Sequence, residues 1–138
     1  GVHSVITDTI GYETKNSGHT NFRYEDVLIA IGTNNTFGTP QNFTSETGVI
    51  VEFHMTIQWS DISVGENVTV MVQALLENGT TTSLEISRNA TSVYALTQED
   101  ASELWSNNTM IQAILISAKT TENATGTEVK VFLWGRGG

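Results

Sequence analysis

Residues 49–59 read VIVEFHMTIQW, and their alternation decides the fold. Val49, Val51, Phe53, Met55, Ile57 and Trp59 fall on one side of an extended chain, and Ile50, Glu52, His54, Thr56 and Gln58 on the other. This period of two is that of a strand with one buried face. Further on, Val68, Val70, Val72, Ala74 and Leu76 alternate against Asn67, Thr69, Met71, Gln73 and Leu75, which predicts a second such strand with Asn67 on its polar side. The next residues, Glu77-Asn78-Gly79-Thr80, contain the Asn-Gly pair of a type I′ hairpin, and Thr82, Leu84 and Ile86 lead the return strand.

The same reading predicts strands over Met110 to Ala118 and Thr127 to Trp134, with Asn123-Ala124-Thr125-Gly126 as the turn between them. Val27 to Ile31 is a continuous apolar run, the mark of a central strand or of one buried on both faces. Thr97 and Asp100 resemble a capping box ahead of Ala101, Leu104 and Trp105, so a short helical connector is expected there. Short strands between turn signals, with Pro40 in a long Thr/Asn/Gly loop, predict an all-β fold, an antiparallel β-sandwich of jelly-roll or immunoglobulin-like type.

At 138 residues the chain has the length of one domain. Charged residues make up 15% of it, well below the roughly 25% usual in soluble proteins. The net charge is −9, and Lys15, Arg23, Arg88, Lys119, Lys130 and Arg136 are scattered singly. No basic stripe is available to follow a phosphate backbone, so nucleic acid is not an expected partner. No apolar run approaches the roughly 18 residues of a membrane-spanning helix, and there is no cysteine for disulfide or thiolate chemistry. The start at Gly1, without a signal-like segment, reads as a mature terminus left by removal of a leader, or as an expression product.

Seven of the eleven asparagines open an Asn-X-Thr triplet: Asn34, Asn42, Asn67, Asn78, Asn89, Asn107 and Asn123. With Ser and Thr at 32 of 138 residues, chance would supply about 2.5 such acceptor triplets. The excess points to dense N-glycosylation of an extracellular protein. Bulky, solubilising glycans on the surface would replace the missing surface charge.

Little in the chain points to catalysis. His54 and Glu52 share a strand face, but one His/Glu pair on a polar face is the ordinary composition of a solvated surface, so no metal site is expected. Glu25-Asp26 and Glu99-Asp100 lack calcium-loop spacing, and no phosphate cradle or nucleophile elbow is present. No catalytic residue and no cofactor other than covalent N-linked glycans is expected. Trp59, Trp105 and Trp134 could build a sugar-binding platform, but Trp59 and Trp134 sit in strand alternation, which favours core positions. Trp134 shares its side of the strand with Phe132, Lys130 and Glu128, a mixed face that would also suit an interface.

The N-terminal stretch Ser4 to Ile10, SVITDTI, is a β-branched run set ahead of a polar stretch. Val2, Ile6, Ile10 and Tyr12 fall on one strand face, with Asp8 among them. Such a segment suits addition to a neighbouring sheet, with backbone bonds giving affinity and alternate side chains filling pockets; a bulge or partial burial would accommodate Asp8. The leaderless start, SVITDTI, a linker, a β-domain and the sequons together make a layout that resembles archaeal extracellular filament subunits, the threads and bundling pili related to bacterial biofilm-matrix fibre proteins. The resemblance implies a donor strand and linker over residues 1–21 and a β-sandwich over 22–138. It also implies identical subunits in a helical polymer, an extracellular cell-surface location, and contacts with neighbouring filaments or cell surfaces in adhesion or biofilm. The alternative is a glycosylated β-sandwich binding module of a surface layer or adhesin, with the terminal strand paired inside its own domain.

Overall fold

The computed structural model describes residues 11–16, 19–96 and 110–138, with 11–16, 19 and 20 as backbone alone. The strands are β1 (Gly11–Asn16), β2 (His19–Leu28), β3 (Ile31–Gly32), β4 (Gln41–Phe43), β5 (Ile50–Ser60), β6 (Val68–Leu76), β7 (Thr81–Arg88), β8 (Ser92–Leu96), β9 (Ile111–Lys119) and β10 (Glu128–Gly137). There is no helix among the described residues, and the connector expected at Thr97 to Trp105 lies outside them. The sheet runs β1-β2-β10-β5-β9-β6-β7, with β8 on β5 and with β3 and β4 on β9. All pairings are antiparallel except the two-residue contact of β3 with β9.

Between β5 and β9 the ladder is one pair, Ile50↔Ile111. That corner divides the sheet into two halves, β1-β2-β10-β5-β8 and β4/β3-β9-β6-β7, whose buried faces share one core. From the first half come Phe22, Tyr24, Phe53, Ile57, Trp59 and Val131, and from the second Phe43, Val70, Val72, Ile114 and Ile116. Two aromatic polar groups at this core are paired across it. The Trp59 indole Nε1–H donates to Val68 O at 3.2 Å, and the Tyr24 hydroxyl donates to Thr44 O at 2.6 Å. The all-β antiparallel sandwich expected from the alternation is the observed fold.

Several local expectations are corrected. In β5 the inward set holds from Phe53 to Trp59, but upstream it is Ile50 that is buried, with Val49 and Val51 half-buried. The register with β10 slips there, Arg136 facing Glu52 and Gly137 facing Ile50. The extra residue, Val51, reverses the parity of what precedes it. β6 buries Val68, Val70, Val72, Ala74 and Leu76 as the alternation requires. Its hairpin to β7 is not type I′, since Gly79 has φ +86° while Asn78 is not among the positive-φ residues. Gly79 N–H donates to Leu76 O and Leu76 N–H to Thr80 O, a type I turn closed by a left-handed glycine. Val27 to Ile31 is not buried on both faces: Val27 and Ile29 are inside, and Leu28 is 54% exposed.

The stretch Gly11 to Asn21, expected as a linker, is largely a hairpin. β1 pairs with β2 from Gly11↔Tyr24 to Asn16↔His19. Its polar composition suits an edge strand, where charged residues discourage further pairing. Next to the Gly11↔Tyr24 pair β2 has an irregularity, where Val27 pairs with Val131 and Tyr24 with Leu133. Glu25 and Asp26 therefore oppose the one residue Phe132, and Asp26 takes a left-handed φ of 49°. Bulges of this kind end or redirect strand pairing at an edge.

Candidate functional site

Four sequons gather at the end of the sandwich where β5 finishes. The loops there carry Asn34 (after β3), Asn67 (before β6), Asn89 (between β7 and β8) and Asn123 (between β9 and β10), and all four asparagines are exposed. Asn34 and Asn35 both take left-handed φ values, 54° and 58°, and Thr36 N–H donates to Thr33 O at 3.2 Å. That is a type I′ turn, a conformation asparagine tolerates better than most residues. Asn34 N–H donates to Glu122 O and Asn35 N–H to Thr120 O, so this turn is stitched to the β9–β10 loop. The Asn89 turn is held by Arg88, whose Nε–H donates to Ser92 Oγ and whose guanidinium lies 5.4 Å from the Trp59 ring centroid.

The keystone of this end is Glu66, buried between two loops. Its Oε1 accepts from Glu122 N–H and the Thr120 hydroxyl at 2.7 Å each and from Asn123 N–H at 3.0 Å. The Glu122 amide, then the Thr120 hydroxyl and the Asn123 amide stabilise the carboxylate and hold its pKa below the usual range, against the opposing effect of burial. Asn67 N–H donates to Thr121 Oγ1 at 3.2 Å and the Thr127 hydroxyl to Asp61 O at 2.9 Å. One carboxylate thus fixes the backbone that presents Asn67 and Asn123.

Asn78 is at the opposite end, exposed in the β6–β7 turn, where its Oδ1 accepts from Thr80 N–H at 3.0 Å and from the Thr80 hydroxyl at 2.6 Å. Asn42 is different. It sits in β4 opposite Leu115 of β9, half-buried, with Oδ1 enclosed and without a partner. Asn107 lies outside the described residues, as do Val2, Ile6 and Ile10 of the expected donor strand. Tyr12, the fourth donor residue, is in β1 opposite Arg23.

The alternation misplaced one aromatic residue. Trp59 is fully buried, as expected, but Trp134 is 38% exposed. The signal was in its neighbours: Val129, Val131 and Leu133 are the inward set of β10, which assigns Trp134 to the outer face by parity. There Trp134 stacks on His54 at 5.4 Å and meets the Phe132 ring edge-on at 4.9 Å, while the Arg23 guanidinium lies 4.9 Å from the Phe132 centroid. Glu52 accepts from Arg136 at 3.0 Å and lies 3.5 Å from His54 Nε2, and Arg23 pairs with Glu25. Of these, Arg23, Glu52, His54, Phe132, Trp134 and Arg136 line a shallow cleft of about 490 Å³. Among the described residues no three His, Cys, Asp or Glu side chains converge as metal ligands.

Fold and surface together define a small all-β antiparallel sandwich with sequon-bearing loops at one end and an aromatic, ion-paired patch on one outer face. No protein-family model, curated protein or solved structure matches the chain.

Proposed function

We propose that the chain is a non-catalytic structural subunit of an extracellular, N-glycosylated surface filament, built by donation of its N-terminal segment to the sheet of an identical subunit and serving adhesion or biofilm. The observation that carries this reading is the bulge in β2 at Glu25 and Asp26, next to the Gly11↔Tyr24 pair of the β1–β2 hairpin. A bulge there interrupts the regular ladder that β2 would offer to a strand laid along it. A neighbour's sheet provides an alternative ladder, and a head-to-tail contact that does not close yields a fibre. Five exposed sequon asparagines, at positions 34, 67, 78, 89 and 123, support the glycoprotein part.

The test is deletion of residues 1–10, which spares the β1–β2 hairpin. The truncated protein is expected to remain monomeric or to aggregate without order, and Ile6→Asp to weaken polymerisation by burying a charge. Normal filaments from the truncated chain, seen by electron microscopy, would sink the donation mechanism. The aromatic patch around Trp134 favours the second reading, a glycosylated binding module of a surface layer or adhesin. Images of the native material, fibres or monomers, discriminate between the two.

A further inference from the structure

The outer face of β2, β10 and β5 carries a row of side chains that neither core packing nor strand pairing uses. Arg23, Trp134 and His54 stand directly across from one another in the register, with Arg136 and Glu52 paired on one side of the row and Phe132 on the other. β2 lies between β1 and β10 and β10 between β2 and β5, while β5 pairs with β8 from Met55 to Trp59. The backbone of β10 beneath Trp134, paired with Arg23 on one edge and His54 on the other, is therefore closed to strand addition. A ligand must instead lie against rings and be met from the side by fixed charged groups, and a pyranose, with an apolar C–H face and a rim of hydroxyls, has that shape. The exposed part of the Trp134 indole provides the stacking surface. Glu52, Arg136 and His54, held in place by one another, provide acceptor and donor atoms for hydroxyls without further ordering cost.

The chain itself supplies a source of this chemistry. Asn34, Asn67, Asn89 and Asn123 lie at the far end of the same strands. Trp134 is six residues along β10 from Glu128, about 20 Å at roughly 3.4 Å per residue. The four-sequon end and the ring-bearing patch are thus set apart along one molecule, with Asn78 a fifth exposed sequon at the opposite end, a separation that suits a heterologous contact between copies. A glycan-mediated contact also keeps the protein surfaces of two chains of net charge −9 out of direct apposition.

We propose that the Trp134 patch is a carbohydrate-binding site whose occupant is an N-glycan carried by a second copy of the chain. This rests on the glycoprotein reading above but is independent of strand donation. The first experiment is mass spectrometry of the native protein, where absence of glycans would overturn both the glycoprotein reading and this occupant. With glycans present, oligosaccharides released from the native protein by hydrazinolysis are titrated into isotope-labelled protein made in a non-glycosylating host, and the indole N–H resonances are followed. Trp59, buried and bonded to Val68 O, is the internal control. Roughly millimolar, saturable binding is expected, shifting Trp134 and leaving Trp59 in place. It should weaken at least tenfold in Trp134→Ala and persist in Trp134→Tyr, with unchanged thermal unfolding showing that both variants are folded. No shift, or equal affinity in Trp134→Ala, would overturn the site. Sedimentation of native glycosylated protein tests the occupant. Association should fall in Trp134→Ala and on adding the released oligosaccharide, whereas undiminished association of Trp134→Ala would overturn the contact between copies. Binding of maltotriose or chitotriose with none of the released glycans would overturn the occupant in favour of a foreign polysaccharide.

Discussion

Glu66 is the residue on which the sequon-bearing end depends most. Its carboxylate accepts hydrogen bonds from Glu122 N–H, Asn123 N–H and the Thr120 hydroxyl, and a neutral amide in its place offers a weaker acceptor and two donors that find none of these groups. Glu66→Gln should therefore lower the unfolding temperature at neutral pH. Because the folded pKa lies below the reference value of 4.5, the stabilisation is fully present above that value and is lost as the pH falls through the lowered one. Melting curves of the two proteins should diverge above pH 4.5 and converge in stronger acid. A second residue-scale expectation concerns Asn42. With its side chain half-buried in β4 and Oδ1 enclosed, it should be unmodified in the native protein, while Asn34, Asn67, Asn78, Asn89 and Asn123 carry glycans, as read from glycopeptide mass spectra. The triplet rule could not separate Asn42 from the rest, because it reads three residues and burial is decided by the strand laid alongside them.

Among the elements, the central strands were legible because one apolar set per strand leaves only one way in. Val68 to Leu76 and Phe53 to Trp59 bury the residues that alternation names. Legibility failed where the pattern was degenerate. Val49, Ile50 and Val51 are all apolar, so either parity satisfies the sequence, and the bulge opposite Arg136 and Gly137 chooses Ile50. It failed again at β1, whose mixture of Tyr12, Glu13, Thr14, Lys15 and Asn16 reads the same in an edge strand as in a linker. The β6–β7 hairpin was placed correctly with the wrong turn type, since Asn-Gly serves both the two-residue turn and the longer one with a left-handed glycine. That glycine gives a test at this scale. Gly79 has φ +86° and open space where a Cβ would point, so Gly79→Ala meets only backbone strain. It should cost about 1–2 kcal/mol, measured by urea unfolding with the slope unchanged.

For the molecule as a whole, the low charge content and the exposed sequons lead to one expectation about solubility. With 15% charged residues, the bare surface has less than the usual charge, and protein from a non-glycosylating host should precipitate at lower ammonium sulfate than native material while melting at nearly the same temperature. A fall in melting temperature without a change in solubility would show that the glycans act on the fold rather than on its surroundings. The two-halved core was readable from sequence, but the grouping of four sequons at one pole was not, because their loops are brought together only by the β3–β4, β5–β6, β7–β8 and β9–β10 connections meeting at the same end.

The β1–β2 hairpin has a mechanical consequence. Among the described residues six paired positions, Gly11↔Tyr24 to Asn16↔His19, join β1 to β2, and β2 in turn lies against β10. Tension arriving through the N-terminal segment along the axis of β1 would load those pairs side by side, in shear, and pass through β2 into the middle of the sheet. A pull at right angles would open the same pairs one after another. Stretching experiments with handles placed for the two directions should therefore give a high rupture force along the strand and a low one across it, a tether strong in the direction in which a thread is drawn.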